Sequence, residues 1–157
     1  MRVLLIRHAP ALNRSDWLRD DLLRPLSDKG ITAAKKIFKG LSKVYKVPQI
    51  ILTSEAVRAK ESADIFSKYF GHVKIKVSPL LNPGATYEGV KGLLTESNLE
   101  YVAIIEHEPD MSEIISMFLC GKDDLPIEIK KAALVELEID EEGFGVLKSL
   151  IPPKIFS

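Results

Sequence analysis

Val3-Leu4-Leu5-Ile6 is an unbroken apolar run with β-branched ends, the pattern of a short strand buried on both faces. Residues 10–26 break that pattern with Asn13, Ser15, Asp16 and two prolines, and predict a loop with one helical turn around Trp17 and Leu22. Ser27 stands where a helix cap is needed. Beyond it Ile31, Ala34, Ile37, Phe38, Leu41 and Val44 recur at helical spacing to about Tyr45, and Pro48 blocks continuation. Ile50-Ile51-Leu52 predicts a second buried strand. Ser54 is expected to cap a second helix, which carries Val57, Ala59, Ala63, Phe66 and Phe70 and ends at Gly71. Val73, Ile75 and Val77 alternate with lysines, as a half-buried strand does. A loop at 82–84 precedes a helix over 87–97, and Tyr101 to Ile105 predicts a fourth strand. Met111, Ile114, Ile115, Phe118 and Leu119 mark a helix closed by Gly121, with Cys120 expected to be inert on its apolar face. Last comes an antiparallel hairpin, Val135 to Ile139 and Phe144 to Leu147 around a Glu-Glu-Gly turn. The order βαβαβαβα plus a hairpin specifies an α/β fold, a three-layer α/β/α sandwich on a mostly parallel sheet. Residues 1–157 read as one domain, without repeats or linkers.

Composition narrows the function classes. The 157 residues carry 22 Lys+Arg against 22 Asp+Glu. Zero net charge argues against a nucleic-acid binder, whose affinity comes from neutralising phosphates. No apolar run approaches the roughly 18 residues of a membrane span. Arg7 and His8 interrupt the only N-terminal one, so a signal peptide is not expected. A single cysteine fits a reducing, cytoplasmic location.

Placement then adds what averages hide. Basic residues are mostly Lys (16) rather than Arg (6), and the three histidines are at 8, 72 and 107. In open α/β sheets, ligands bind beyond the carboxyl ends of parallel strands. The first strand ends in Arg7-His8, the second in Ser54 with Arg58 one turn on, and the fourth in Glu106-His107-Glu108-Pro109. Two histidines and two arginines therefore leave the sheet at one edge, whereas His72 belongs at the opposite edge or on the surface. Arg binds phosphate as a planar fork, and a helix starting near Ser54 adds a positive dipole end. No phosphate-binding glycine loop, acidic metal-ligand set or loop cysteine is present, so the candidate nucleophile is a histidine and no metal or cofactor is expected.

Five segments, in order and over nearly the full length, resemble the histidine phosphatase superfamily, also called phosphoglycerate mutase-like. They are Leu5-Ile6-Arg7-His8-Ala9, Arg24-Pro25-Leu26-Ser27 with Gly30, Ser54 through Arg58-Ala59 to Glu61-Ser62, Leu81-x-Pro83-Gly84, and His107-x-Pro109. The chain is most similar to the short SixA-type phosphohistidine phosphatases. The resemblance implies that His8 is the nucleophile, forming a phosphohistidine intermediate, with Arg7, Arg58 and His107 around the transferring phosphoryl and Ser54 among the phosphate-binding groups. Ala9 and Glu55 depart from the family pattern mildly. Glu106 and Glu108 depart more, and both are expected to point away and be solvated. Turned inward, a carboxylate there could hold His107 protonated or act as a general acid.

A short chain with little room for a lid beyond residues 10–24 favours a phosphohistidine protein as substrate, because a phosphoramidate departs with little acid help. The enzyme alternative is a small-molecule phosphomonoesterase, which needs an acid, Glu108 or Asp16. Asp16, Trp17 and Arg19 are a candidate substrate-facing rim, with Trp17 alternatively covering the core. A catalytically weak phosphate- or partner-binding module is the rival from another class, and intact Arg7, His8, Arg58 and His107 count against it. No nucleic-acid or membrane partner is expected.

Overall fold

The computed structural model describes residues 1–156. Six strands form one sheet in the order β3-β2-β4-β1-β5-β6. They are β1 (Arg2–Arg7), β2 (Ile50–Thr53), β3 (Ile75–Val77), β4 (Tyr101–Glu106), β5 (Leu134–Ile139) and β6 (Gly145–Ile151). β1 to β4 run parallel, β5 joins β1 antiparallel, and β6 closes the hairpin. The helices are α1 (Asp28–Leu41), α2 (Val57–Tyr69), α3 (Tyr87–Ser97) and α4 (Asp110–Cys120). Alternation along the buried strands sorts the core into two layers. Leu4, Ile6, Ile51, Ala103 and Ile105 pack beneath α1 and α2, while Val3, Leu5, Leu52, Val102 and Ile104 pack beneath α3 and α4. The expected three-layer architecture is the observed one.

Several local expectations need correction. α1 stops at Leu41, where Ser42 and the residues after it tighten into turns. α2 starts at Val57 behind Ala56, so Ser54 is not its cap residue. β3 is a three-residue edge strand with Val77 exposed, not the half-buried strand of five that alternation implied. Cys120 lies exposed at the last position of α4 rather than in the core. Its Sγ–H donates to the Ser116 carbonyl. Loop 10–26 contains two 3-10 turns, Arg14–Asp16 and Asp21–Leu23, instead of one. No helix among the described residues is long and apolar enough to cross a membrane.

Two junctions place the loops that matter. The Pro10 carbonyl accepts the Ser27 amide at 3.1 Å, and the Leu12 amide donates to the Pro25 carbonyl. The loop is thereby folded back onto the start of α1. Ser27 does cap α1, its Oγ accepting the Gly30 amide at 3.0 Å. A Cβ at Gly30 would stand 1.8 Å from the Pro10 carbonyl oxygen. Backbone held by the Ser27 hydrogen bond cannot withdraw that far. Gly30→Ala is therefore expected to destabilise the fold by roughly 3 kcal/mol, read as a lower urea midpoint with unchanged slope; a midpoint equal to that of the parent protein would refute the close approach.

Candidate active site

The carboxyl ends of β1, β2 and β4 meet as the topology requires. Arg7 and Glu106 are the last paired residues of β1 and β4. The His8 amide extends that ladder by donating to the Glu106 carbonyl at 3.1 Å. His8 and His107 then lie side by side, ring centroids 5.1 Å apart and planes tilted by 53°. Arg7, His8, Arg58 and His107 line one cavity of about 210 Å³. The four residues that sequence reasoning brought to one edge do share a site.

The His8 ring is oriented by its own backbone. Its Nδ1 is 2.8 Å from the Ala9 carbonyl oxygen. A carbonyl can only accept, so Nδ1 carries the proton and Nε2 keeps its lone pair. Burial holds the ring's pKa down to about 3; the Ala9 hydrogen bond opposes this, and His107, Arg58 and Arg7 reinforce it. His107 is likewise lowered to about 3, by burial first and then Arg58, with Asp21 opposing. Neither imidazole is cationic at neutral pH, so Glu106 and Glu108 do not hold His107 protonated.

One face of α2 organises the surroundings. Ser62 Oγ accepts the Ala9 amide at 3.0 Å and donates to the Arg58 carbonyl at 2.8 Å, fixing the turn after His8 to the helix that carries Arg58. Glu61 accepts the Leu26 amide at 2.8 Å. Arg58, only 1% exposed, donates through Nη1 to the Asp21 carbonyl and through Nη2 to the Asp21 carboxylate. Spacing of three and four residues puts these side chains on neighbouring positions of one helix surface.

Asp21 was not anticipated as a site residue, and it binds three arginines: Arg58 at 3.0 Å, Arg24 at 2.9 Å and Arg14 at 3.6 Å. Its carboxyl lies below the ordinary range, burial working against that shift and the Arg24 hydrogen bond with the neighbouring charges outweighing it. Arg14, Arg24 and Lys131 also line the cavity. Arg24 could have been found, because it opens the Arg-Pro-Leu-Ser segment; nothing in the sequence around Asp21 or Lys131 distinguished them.

Other expectations fare differently. Ser54 is fully buried and does not line the cavity. Its Oγ lies 2.8 Å from His107 Nε2 and accepts the Ala56 amide, so it orients a histidine. Asp16 and Trp17 do not line the cavity, whose wall from loop 10–26 is Leu12, Asn13, Arg14 and Arg24. Trp17 is only half-buried, donating Nε1–H to the Asp20 carbonyl, and belongs to neither core layer. Neither flanking glutamate points away into solvent. β4 runs one residue further than Ile105, and the pleat carries Glu106 into the layer of Val102 and Ile104, where it is 0% exposed. There Oε2 accepts the His107 amide while burial pushes the carboxyl up to about 8, against that hydrogen bond and with Asp110 and Glu108 adding to the shift. Glu108 lines the cavity, with Oε2 accepting from Ser112 Oγ at 2.5 Å and Oε1 buried without a partner. Its carboxyl is raised by burial, against Ser112 and Arg7.

The sequence and the fold both have known relatives. The family model described as histidine phosphatase superfamily (branch 1) matches residues 3–90. An uncharacterised protein of Picosynechococcus sp. is 26% identical over 144 residues, 87% of this chain and 84% of its own length. The solved structure of the protein histidine phosphatase SixA complexed with tungstate superposes with a TM-score of 0.84 at 21% identity, covering both chains completely. A mycobacterial glucosyl-3-phosphoglycerate phosphatase complexed with VO3 gives a TM-score of 0.74 at 17% identity, covering 96% of this chain and 99% of that one.

The depressed histidine pKa values generate a direct check. Nitrogen chemical shifts of His8 and His107 should show neutral rings across about pH 5 to 8, with His8 as the Nδ1–H tautomer. A neutral His8 ring in the Nε2–H tautomer would place the proton where the lone pair is needed and refute the Ala9 hydrogen bond.

Proposed function

Because the chain belongs to the histidine phosphatase superfamily, we propose that it is a metal-independent phosphatase acting through a covalent phosphohistidine on His8, with protein phosphohistidine as substrate. The observation that carries this reading is the neutral His8 ring, locked by the Ala9 carbonyl with Nε2 unprotonated beside Arg7, Arg58 and His107. Nε2 attacks phosphorus and the bond to the leaving group breaks. Water then attacks the phosphoryl on His8, the P–N bond breaks, and Nε2 regains its lone pair as inorganic phosphate departs. Little covalent help is needed from the protein, since phosphoryl transfer depends mostly on positioning and on stabilising charge over the equatorial oxygens. Preplaced guanidinium groups supply that stabilisation. A phosphohistidine substrate asks for little acid help, because its leaving group is an imidazole rather than an alkoxide.

Glu108 favours a second reading, a phosphate ester as substrate. A carboxyl lining the cavity with a raised pKa can give its proton to an alkoxide as the P–O bond breaks, then take one from the attacking water. Asp16, the other acid considered from sequence, does not line the cavity.

Three measurements test these statements. His8→Ala is expected to lower turnover by roughly 10⁴ or more and to abolish an acid-labile phosphoenzyme; full activity without His8 would exclude the covalent route. Chelator should leave the rate unchanged. Glu108→Gln should slow hydrolysis of a phosphate monoester by about 100-fold while slowing a phosphohistidine peptide far less, and equal losses on both would exclude Glu108 as the acid.

A further inference from the structure

The segment before β5 forms a wall of the site that the sequence left unmarked. Ile129 is buried in the core, and its carbonyl accepts from Arg7 Nη1 at 2.7 Å. The Ala132 amide donates to the carbonyls of both Arg7 and His8, at 3.1 and 3.2 Å. Ala132 adopts φ +64°, a left-handed conformation that costs a non-glycine residue of order 1 kcal/mol. Such strain persists where surrounding bonds over-determine it, as these do. Lys131 lies between the two anchors. Its backbone position is set by the same bonds that hold Arg7 and His8, and its exposed side chain lines the cavity mouth.

Charge at this place exceeds what one phosphoryl group requires. Five cationic side chains (Arg7, Arg14, Arg24, Arg58 and Lys131) line the cavity against a single carboxyl, Glu108. Asp21 stands behind them and is shared by Arg58, Arg24 and Arg14. No carboxylate of the described residues forms an ion pair with Lys131. Partial burial, and then the fields of Arg7, Arg24 and Arg58, lower its pKa, so the ammonium sits in an unfavourable potential until an anion arrives. A phosphoryl dianion held by Arg7 and Arg58 leaves Lys131 at the mouth uncompensated.

We propose that Lys131 is a specificity-determining residue that binds a second anionic group of the substrate, a carboxylate carried close to the transferring phosphoryl. The inference rests on the phosphatase reading and adds the substrate's chemical class. In a protein the carboxylate is an Asp or Glu side chain beside the phosphohistidine; in a small molecule it belongs to the phosphate ester itself. A lysine suits this place better than an arginine fork, because its point charge on a flexible stem reaches a carboxylate at varied distance.

The test compares substrates that differ only in the second anion. One pair is a phosphohistidine peptide with Glu or Gln beside the phosphohistidine; the other is carboxyphenyl phosphate against phenyl phosphate. Lys131→Gln should lower kcat/KM for the anionic member about tenfold more than for its neutral counterpart, and Lys131→Arg should restore most of the difference. The pair with the larger ratio identifies the source of the carboxylate. Equal losses within both pairs would reduce Lys131 to a general contribution to the positive field and overturn the proposal. Binding of the same four compounds to His8→Ala protein, with and without Lys131→Gln, reads the ratio without turnover. A binding ratio of about ten with no phosphoenzyme in the parent protein would sink the covalent reading and leave the subsite standing; a ratio of one with a phosphoenzyme would do the reverse.

Discussion

A guanidinium placed almost wholly out of water is the constraint on which the site depends. Arg58 is the bulkiest side chain that is fully buried in the molecule, and an unpaired charge there would cost several kcal/mol. Asp21 compensates it twice, through carboxylate and carbonyl. That requirement reaches beyond one ion pair, because Asp21 belongs to loop 10–26. Holding Asp21 against Arg58 fixes the 3-10 turn 21–23, which fixes Arg24, whose Nη1 then donates to the Leu12 carbonyl at the cavity wall. A loop of mixed composition with no core of its own is ordered by the charge it neutralises.

The same economy governs α2. Arg58, Glu61 and Ser62 serve three separate stretches of chain from one helix face, so the histidine turn, the start of α1 and the loop are all referenced to a single rigid element. Groups that must be held to within about 0.5 Å of their productive positions are best fixed by side chains with locked rotamers on regular structure. Ser54 extends the scheme to the other histidine, since β2 delivers its hydroxyl to His107 Nε2.

Legibility in the sequence followed the range of the interactions. Arg7, His8, Arg58 and His107 could be assembled because strand ends are marked by apolar runs and parallel topology sends those ends to one edge. Asp21 could not, because its role is a contact with a residue 37 positions away and its neighbours show no periodicity. Lys131 was hidden for the same reason: the wall it belongs to is made by carbonyl and amide bonds to Arg7 and His8, which no residue type announces. Glu106 was misjudged by the length of one strand. A strand ending at Ile105 leaves the next side chain in solvent, whereas one ending at Glu106 turns it inward, and single-residue boundaries are where pattern reasoning is weakest.

Glu106 also shows how the site tolerates a carboxyl beneath a phosphate-binding edge. Ionised, it would repel the substrate and leave a buried charge; held neutral by burial, with its pKa near 8, it leaves the field above it to the arginines. The proton on Glu106 and the absence of one on His8 Nε2 therefore have a common origin, since both groups meet the low-dielectric end of the sheet in their uncharged forms. Permanent positive charge beside the two rings is then carried by groups that burial does not discharge, the guanidinium groups of Arg7 and Arg58. The neutral imidazole and the fixed cations around it are two results of one desolvated environment, and they are what the proposed attack on a phosphoryl dianion demands.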